Sequence, residues 1–443
     1  MIARLLHLVR SHRRWQIVAL LFLFSVVNNL DRQTLSVLAP TLQKTLQFGP
    51  QQYSYIVTAF LAAYTLGYLF SGALLDRFGV KKTLAAALLF WTIASILHAT
   101  ATGWRSLLLL RFLLGLGESF TSPAGIKALA EWVPARERGL SAAIFTNGNI
   151  VGAILAPPIV TLFALHYGWR SGFIAPALTG LVLLFVWNIW YHGPKEDPCI
   201  SEAEREIVLR ETAIVESHAK THVGYTVVLQ PLFIGFFLMR FLTDSVTYFF
   251  SFWMPSYLSS SRGFSLAALG AVTWIPFLAS DCGGVGGGAV SDWLIRHGLP
   301  VTIARKRMLL LAALLMTSTA AVVLAHTAAM AIALMALAFA AQSWWMANQL
   351  ALISESAEKQ IIGRVLAFSA LGGSLGGMFF TLITGHIIAT AGYRPVFLAA
   401  SLFHVTGWMI LAAAQRAQSR YELKVHSSSR AEQHPVLTDG NAH

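Results

Sequence analysis

The stretch WQIVALLFLFSVVNNLDRQTLSVLAP, residues 15–40, is an apolar run long enough to cross a bilayer as a helix, and toward its far end it carries Asp31 and Arg32. An ionised pair at membrane depth is costly unless it faces a cavity, so by default it marks a route for an ion or a charged substrate. One spanning helix with a polar station is what this stretch predicts.

The rest of the chain repeats the pattern. With 56% hydrophobic and 12% charged residues and a mean hydropathy of +0.62, a chain of 443 residues is too apolar to be soluble, and its apolar runs must face lipid. About twelve such runs, each of roughly 18 to 28 residues, match the length needed to span the hydrocarbon layer. They fall at 15–39, 51–75, 83–101, 104–127, 138–165, 172–191, 229–258, 265–290, 307–326, 328–352, 362–389 and 395–414. The first run is too long and too interrupted by charge for a signal peptide, so it is expected to stay in the mature protein.

The formal charge of +12 does not point to nucleic acid, because the positive residues fall in alternate loops rather than on one soluble face. Arg77, Lys81 and Lys82 follow the second span, Arg136 and Arg138 the fourth, Arg296, Arg305, Lys306 and Arg307 the eighth, and Lys359 and Arg364 the tenth. The intervening loops carry isolated charges such as Lys44, Arg105, Arg170 and Arg394. By the positive-inside rule both termini are cytoplasmic. Met1 to Arg14, with four arginines among apolar residues, reads as a positive flank that orients the first span, a basic interfacial helix being the other reading. Cys199 and Cys282 make no disulfide framework, and the histidines are too scattered for a metal site.

The chain contains an imperfect copy of itself. Gly168-Trp-Arg-Ser-Gly-Phe173 is echoed by Gly392-Tyr-Arg-Pro-Val-Phe397, 224 residues on, and Gly139 by Gly363 at the same offset. Gly72-x-x-x-Asp76 finds Gly288-x-x-x-Asp292 at an offset of 216, which one short indel reconciles. Two six-helix halves related as parallel repeats follow, residues 1–191 and 229–415, in an all-α membrane protein of twelve transmembrane helices. Between them, residues 192–228 form a polar cytoplasmic linker, in which the capping box Ser201-x-x-Glu204 and the i, i+4 pair Glu206 and Arg210 predict a short helix. Residues 416–443 lack an apolar period and read as a disordered cytoplasmic tail.

Gly72-Ala-Leu-Leu-Asp76-Arg77-Phe-Gly79-Val-Lys-Lys82 resembles the loop between the second and third helices of the major facilitator superfamily. That resemblance implies the major facilitator fold, with Gly72, Asp76, Arg77 and Gly79, and in the second copy Gly288 and Asp292, as gating residues: glycine for close helix approach, aspartate to cap a helix end or pair with a cytoplasmic arginine. Asn29-Leu30-Asp31-Arg32 and Arg111-x6-Glu118 are similar to the anion:cation symporter family of the same superfamily. Arg240-Phe-Leu-Thr-Asp244, Phe249 to Leu258, Arg262-Gly-Phe-Ser265, Pro276 to Asp281 and Trp345-Met-Ala-Asn348 look most like its bacterial hexuronate branch.

From this resemblance Asp31 and Glu118 are expected to bind the coupled proton, a carboxylate between apolar helices and arginine being easily switched. Arg111 lies two helical turns before Glu118, so an extended side chain reaches toward the acid. Arg32 is the candidate for the substrate carboxylate, with the two-pronged donor geometry that a planar anion needs. Being adjacent, Asp31 and Arg32 point about 100° apart on a helix, so only one need face the cavity. Tyr64 and Asn149 match positions that contact polyol hydroxyls in related carriers, and Tyr248 and Asn348 are candidates from the other half; ordinary packing competes at all four. Two departures bear on the sugar acid: Tyr248 stands where the branch more often has tryptophan, and the glutamine expected in the tenth span is displaced by one residue. Asp244 and Asp281 are two further acids at membrane depth, the first also placed to act as a cap.

Gly148-x-x-x-Gly152-x-x-x-Ala156-Pro157 resembles a motif of drug:proton antiporters, but the same spacing serves close helix packing, which is the reading adopted. No nucleophile with a base, metal constellation or soluble domain argues for an enzyme. The expectation is a proton-coupled symporter importing a hexuronate or related sugar acid, with the proton as coupling ion and no cofactor, working as a monomer in the bacterial inner membrane. An antiporter or exporter of another organic anion, and a sensor that binds without transporting, are the alternatives.

Overall fold

The structure, a computed structural model, describes residues 12–218, 228–358 and 361–433, and every regular element among them is helical. In chain order these are α1 (Arg13–Thr45), α2 (Pro50–Leu97), α3 (Trp104–Glu118), α4 (Thr121–Trp132), α5 (Ala135–Tyr167), α6 (Trp169–Trp190), α7 (Glu202–His218) and α8 (Pro231–Arg262). There follow α9 (Leu266–Val272), α10 (Trp274–Arg296), α11 (Val301–Met316), α12 (Thr319–Val322), α13 (Ala328–Glu355), α14 (Ile362–Ala391) and α15 (Arg394–Gln433).

The twelve expected spans all fall on these helices, though not one to one. Spans 51–75 and 83–101 both lie on α2, joined through Gly79, whose backbone sits at φ 76° and ψ 167° inside the helix. Span 104–127 is divided between α3 and α4, 265–290 between α9 and α10, and 307–326 between α11 and α12. Eight stretches among the described residues are long and apolar enough to cross a bilayer by length and composition. α1 is not one of them, because Asn28, Asn29, Asp31 and Arg32 lower its hydropathy.

The internal repeat is visible in the packing. On α5 a Cβ at Gly148 would lie 2.5 Å from the Phe22 carbonyl oxygen, and one at Gly152 2.4 Å from that of Val26, so α5 presses on the α1 backbone. Gly372 and Gly376 on α14, each 224 residues further on, press on α8 in the same way, 2.4 Å from the Phe237 oxygen and 1.8 Å from that of Phe241. The small-residue spacing at Gly148 and Gly152 is thus a packing device.

The two bundles meet along α2 with α14, α1 with α8, and α5 with α9 and α10. The hydrogen bonds across this seam lie at mid-depth, where Thr65 and Ser374 hydroxyls are 2.7 Å apart, and toward the end away from the basic loops.

The connector folds onto the first bundle. Ser201 accepts from the Glu204 N–H at 3.3 Å, half of the expected capping box. The Glu204 carboxylate goes elsewhere: it accepts from the backbone N–H groups of Arg13 at 3.0 Å and Arg14 at 3.1 Å, capping α1. Asp197 pairs with Arg13, and Arg14 also reaches Glu137, so two arginines of the expected positive flank are buried in ion pairs; residues 1–11 of that flank lie outside the described residues. The tail expectation is corrected: α15 runs on to Gln433 instead of ending near residue 415. Gln418 explains the start of this extension, since it bonds Gln230 at 3.3 Å and Glu422, one turn on, at 2.9 Å. Residues 434–443 lie outside the described residues.

Candidate functional site

α1, α2 and α3 bring five of the expected residues, Asp31, Arg32, Tyr64, Arg111 and Glu118, together at mid-depth. Asp31 is 1% exposed and turns toward α2, where Ser95 donates to it at 3.1 Å. Arg32, one residue on, turns toward α3 and pairs with Glu118 at 2.9 Å. The same guanidinium donates to Asn28 at 3.1 Å and lies over the rings of Tyr64, 4.9 Å away, and Phe60, 5.2 Å away. The adjacent acid and base therefore do diverge, as the 100° step along a helix requires.

Glu118 is the last residue of α3, and the helix stops there before α4 resumes at Thr121. The Glu118 carboxylate is fully buried and faces α1. Here the sequence expectation is corrected: Arg32, not Arg111, holds Glu118. Arg111 is buried on the same helix but donates to the Arg32 carbonyl oxygen at 3.3 Å.

Four polar atoms in this cluster have no hydrogen-bond partner among the described residues: Asp31 Oδ2, Glu118 Oε1, and Arg111 Nε and Nη2. Buried polar atoms are normally paired, and such orphans mark a place for water, a proton or a ligand. Of the four charged side chains only Arg32, 20% exposed, reaches open space, beside the half-buried Tyr64. Asn28, Ser95 and Phe60 were not among the sequence candidates; uncharged, they carry no signal of their own in an apolar run.

The remaining candidates make no hydrogen bond or ion pair with this cluster among the described residues. Asn149, half-buried on α5, donates to the Thr146 carbonyl of its own helix at 3.1 Å. Tyr248, half-buried on α8, stacks parallel to Phe252 at 6.4 Å. Asn348 is fully buried between α13 and α10 and donates to the Gly287 carbonyl at 3.2 Å and that of Trp344 at 3.0 Å. It is committed to helix packing rather than joined to the cluster. Asp244 pairs with Arg240 at 2.8 Å within α8, so it is not a cap. Asp281 is half-buried on α10 and forms no ion pair among the described residues.

The gating motif holds its ion pairs inside each bundle. Asp76 pairs with Lys127 of α4 at 2.6 Å, and Asp292 with Arg305 of α11 at 3.0 Å, Arg305 also holding Glu355 at 3.0 Å. Arg77 is exposed over the neighbouring Phe78 ring at 5.2 Å. The close approach expected at Gly72 and Gly288 is absent: a Cβ at either would meet nothing within 4 Å. Cys199 and Cys282 are free thiols. No group of three or more metal-ligating side chains occurs among the described residues.

Comparison with known proteins places this geometry. Residues 21–304 match the Major Facilitator Superfamily model. The probable galactarate/D-glucarate transporter GarP of Escherichia coli K12 is 30% identical over 395 residues, covering 85% of this chain and 89% of that protein. The hexuronate transporter of the same strain is 29% identical over 90% of this chain and 93% of its own length. The galacturonate transporter of Dickeya chrysanthemi is 32% identical over 68% of this chain and 89% of its own. Among solved structures, the inward-open xylose transporter XylE of E. coli superposes with a TM-score of 0.70 at 16% identity, over 90% of this chain and 95% of that one. A bacterial homologue of the human lysosomal transporter Spinster gives 0.69 at 16% identity, over 91% and 96%. The chain belongs to the Major Facilitator Superfamily, and the relatives it resembles over most of its length are transporters of sugar acids.

Proposed function

We propose that the chain is a proton-coupled symporter that imports a hexuronate or related sugar acid. The site would alternate between the two sides of a bacterial inner membrane as residues 1–191 and 229–415 rock against each other, with both termini in the cytoplasm. The observation that carries this reading is the shared guanidinium: Glu118 holds Arg32 at 2.9 Å in a site closed to almost all solvent. A substrate carboxylate needs the same two-pronged donor, so it competes with Glu118. Protonating Glu118 removes the competing charge, and Arg32 is then free to take the anion. Proton and anion are in this way favoured together, which is the requirement for symport.

Asp31 gives the proton a second resting place on the neighbouring helix face, and Arg111, with two donors to spare, steadies whichever acid is ionised. Tyr64, over the Arg32 plane, is placed to meet the first hydroxyls of a substrate whose carboxylate sits on Arg32; Asn149 and Tyr248 supply further polar contacts from α5 and α8. The relatives named for hexuronate, galacturonate and galactarate/D-glucarate support the substrate class. Uptake of labelled glucuronate, galacturonate and glucarate into proteoliposomes tests the proposal, with and without an inward proton gradient. Gradient-driven uptake is expected in the wild type and is expected to be lost in Arg32→Ala and Glu118→Gln; uptake that ignores the gradient, or survives in both variants, overturns it.

A further inference from the structure

α8 carries Pro255, which has no N–H, so the Ser251 carbonyl four residues earlier has no helical donor, and the proline ring pushes that turn open. A carbonyl left so at membrane depth must find another partner. It finds one in the other bundle. Ser36 on α1 donates to the Ser251 oxygen at 2.7 Å and lies 3.3 Å from that of Phe252, while the Tyr53 hydroxyl on α2 donates to the Phe252 oxygen at 2.8 Å. Ser36 and Tyr53 are fully buried, and the Tyr53 ring meets Trp253 edge to face at 5.0 Å, so water does not share these bonds. Beside them a Cβ at Gly385 would lie 2.3 Å from the Ser54 hydroxyl, so α14 closes tightly on α2.

We propose that Ser36 and Tyr53 are the gate residues at the end opposite the basic loops, latching the first bundle onto two adjacent backbone carbonyls of α8, of which Pro255 leaves that of Ser251 without a helical donor. A bond to a carbonyl suits a gate: when it breaks and water enters, both partners are resolvated, so each contributes little net free energy and opening stays accessible. Ser36 lies one turn after Arg32 on the same face of α1, so a movement of α1 that releases Ser36 also moves the guanidinium holding the anion. The occupancy of the site and the state of the gate are thereby linked through one helix turn. The inference rests on the two-sided carrier reading above.

The test uses the full chain with Cys199 and Cys282 replaced by serine and Ser54→Cys as reporter, buried in the seam and reachable only when the bundles part. Labelling by a membrane-impermeant maleimide, applied from the side opposite the basic loops, is measured alongside sugar-acid uptake. Ser36→Ala and Tyr53→Phe are each expected to raise the labelling rate several-fold and together about tenfold, the effect of losing two such bonds. Pro255→Ala, which gives the Ser251 carbonyl a donor of its own, is expected to raise it too. Ser36→Thr keeps the hydroxyl and should label like the parent. Unchanged labelling in Ser36→Ala and Tyr53→Phe, or Ser36→Thr labelling as fast as Ser36→Ala, overturns the latch. Altered labelling in a protein whose parent takes up no sugar acid instead overturns the substrate reading and leaves the latch standing.

Discussion

At the residue scale the centre of the molecule is one guanidinium with several claims on it. Arg32 pairs with Glu118, donates to Asn28 and lies flat over Tyr64 and Phe60. A lysine would keep the charge but lose the fork and the stacked plane. Arg32→Lys is therefore expected to weaken the apparent affinity for a sugar acid roughly 10- to 100-fold, about 1.4–2.8 kcal/mol, read as a rise in half-saturating concentration with the protein still inserted and folded. Asp31, Arg32, Arg111 and Glu118 were legible in the sequence because ions at membrane depth are conspicuous. Their pairing was not: a seven-residue spacing puts Arg111 and Glu118 on one face, and both do meet α1, but the spacing does not say that the Arg32 side chain takes the carboxylate while Arg111 takes the Arg32 carbonyl. Ser95 and Asn28 left no trace, since serine and asparagine are ordinary in spanning helices.

At the element scale glycine has two different meanings, and only contacts separate them. A Cβ at Gly376 would fall 1.8 Å from a backbone oxygen of α8, where nothing can yield, whereas one at Gly72 meets nothing within 4 Å. Gly376→Ala is expected to destabilise the protein by about 1–3 kcal/mol, the cost of overpacking, and Gly72→Ala to change stability by less than about 0.5 kcal/mol. Thermal unfolding in detergent distinguishes them. Helix positions were legible from hydropathy, because lipid tolerates only a narrow range of lengths. Helix breaks were not, since a gap such as Ser119–Phe120 is two apolar-compatible residues inside an otherwise continuous run.

At the scale of the whole molecule, the repeat offset of 224 residues read from two glycine motifs reappears as a physical relation, with Gly148 and Gly152 packing on α1 as Gly372 and Gly376 pack on α8. Which end is shut could not be read in advance, because one sequence serves every stage of a rocking motion and only contacts distinguish them. The mid-depth seam offers a check: Thr65 and Ser374 hydroxyls are 2.7 Å apart across the bundles. With both native cysteines removed, a cysteine pair at 65 and 374 is expected to cross-link on oxidation and to stop uptake, and a reductant to restore it. Full uptake in the oxidised, cross-linked protein would mean that the bundles do not separate there.

The N-terminal end of α1 has a history in time as well as a place. Its first N–H groups are capped by Glu204, 191 and 190 positions away from the residues it serves. At ordinary synthesis rates of about 5–20 residues per second, that carboxylate leaves the ribosome about 10–40 s after the helix it completes. The first span must enter the bilayer with its end unfinished, and the connector seals it only after five further spans have been made.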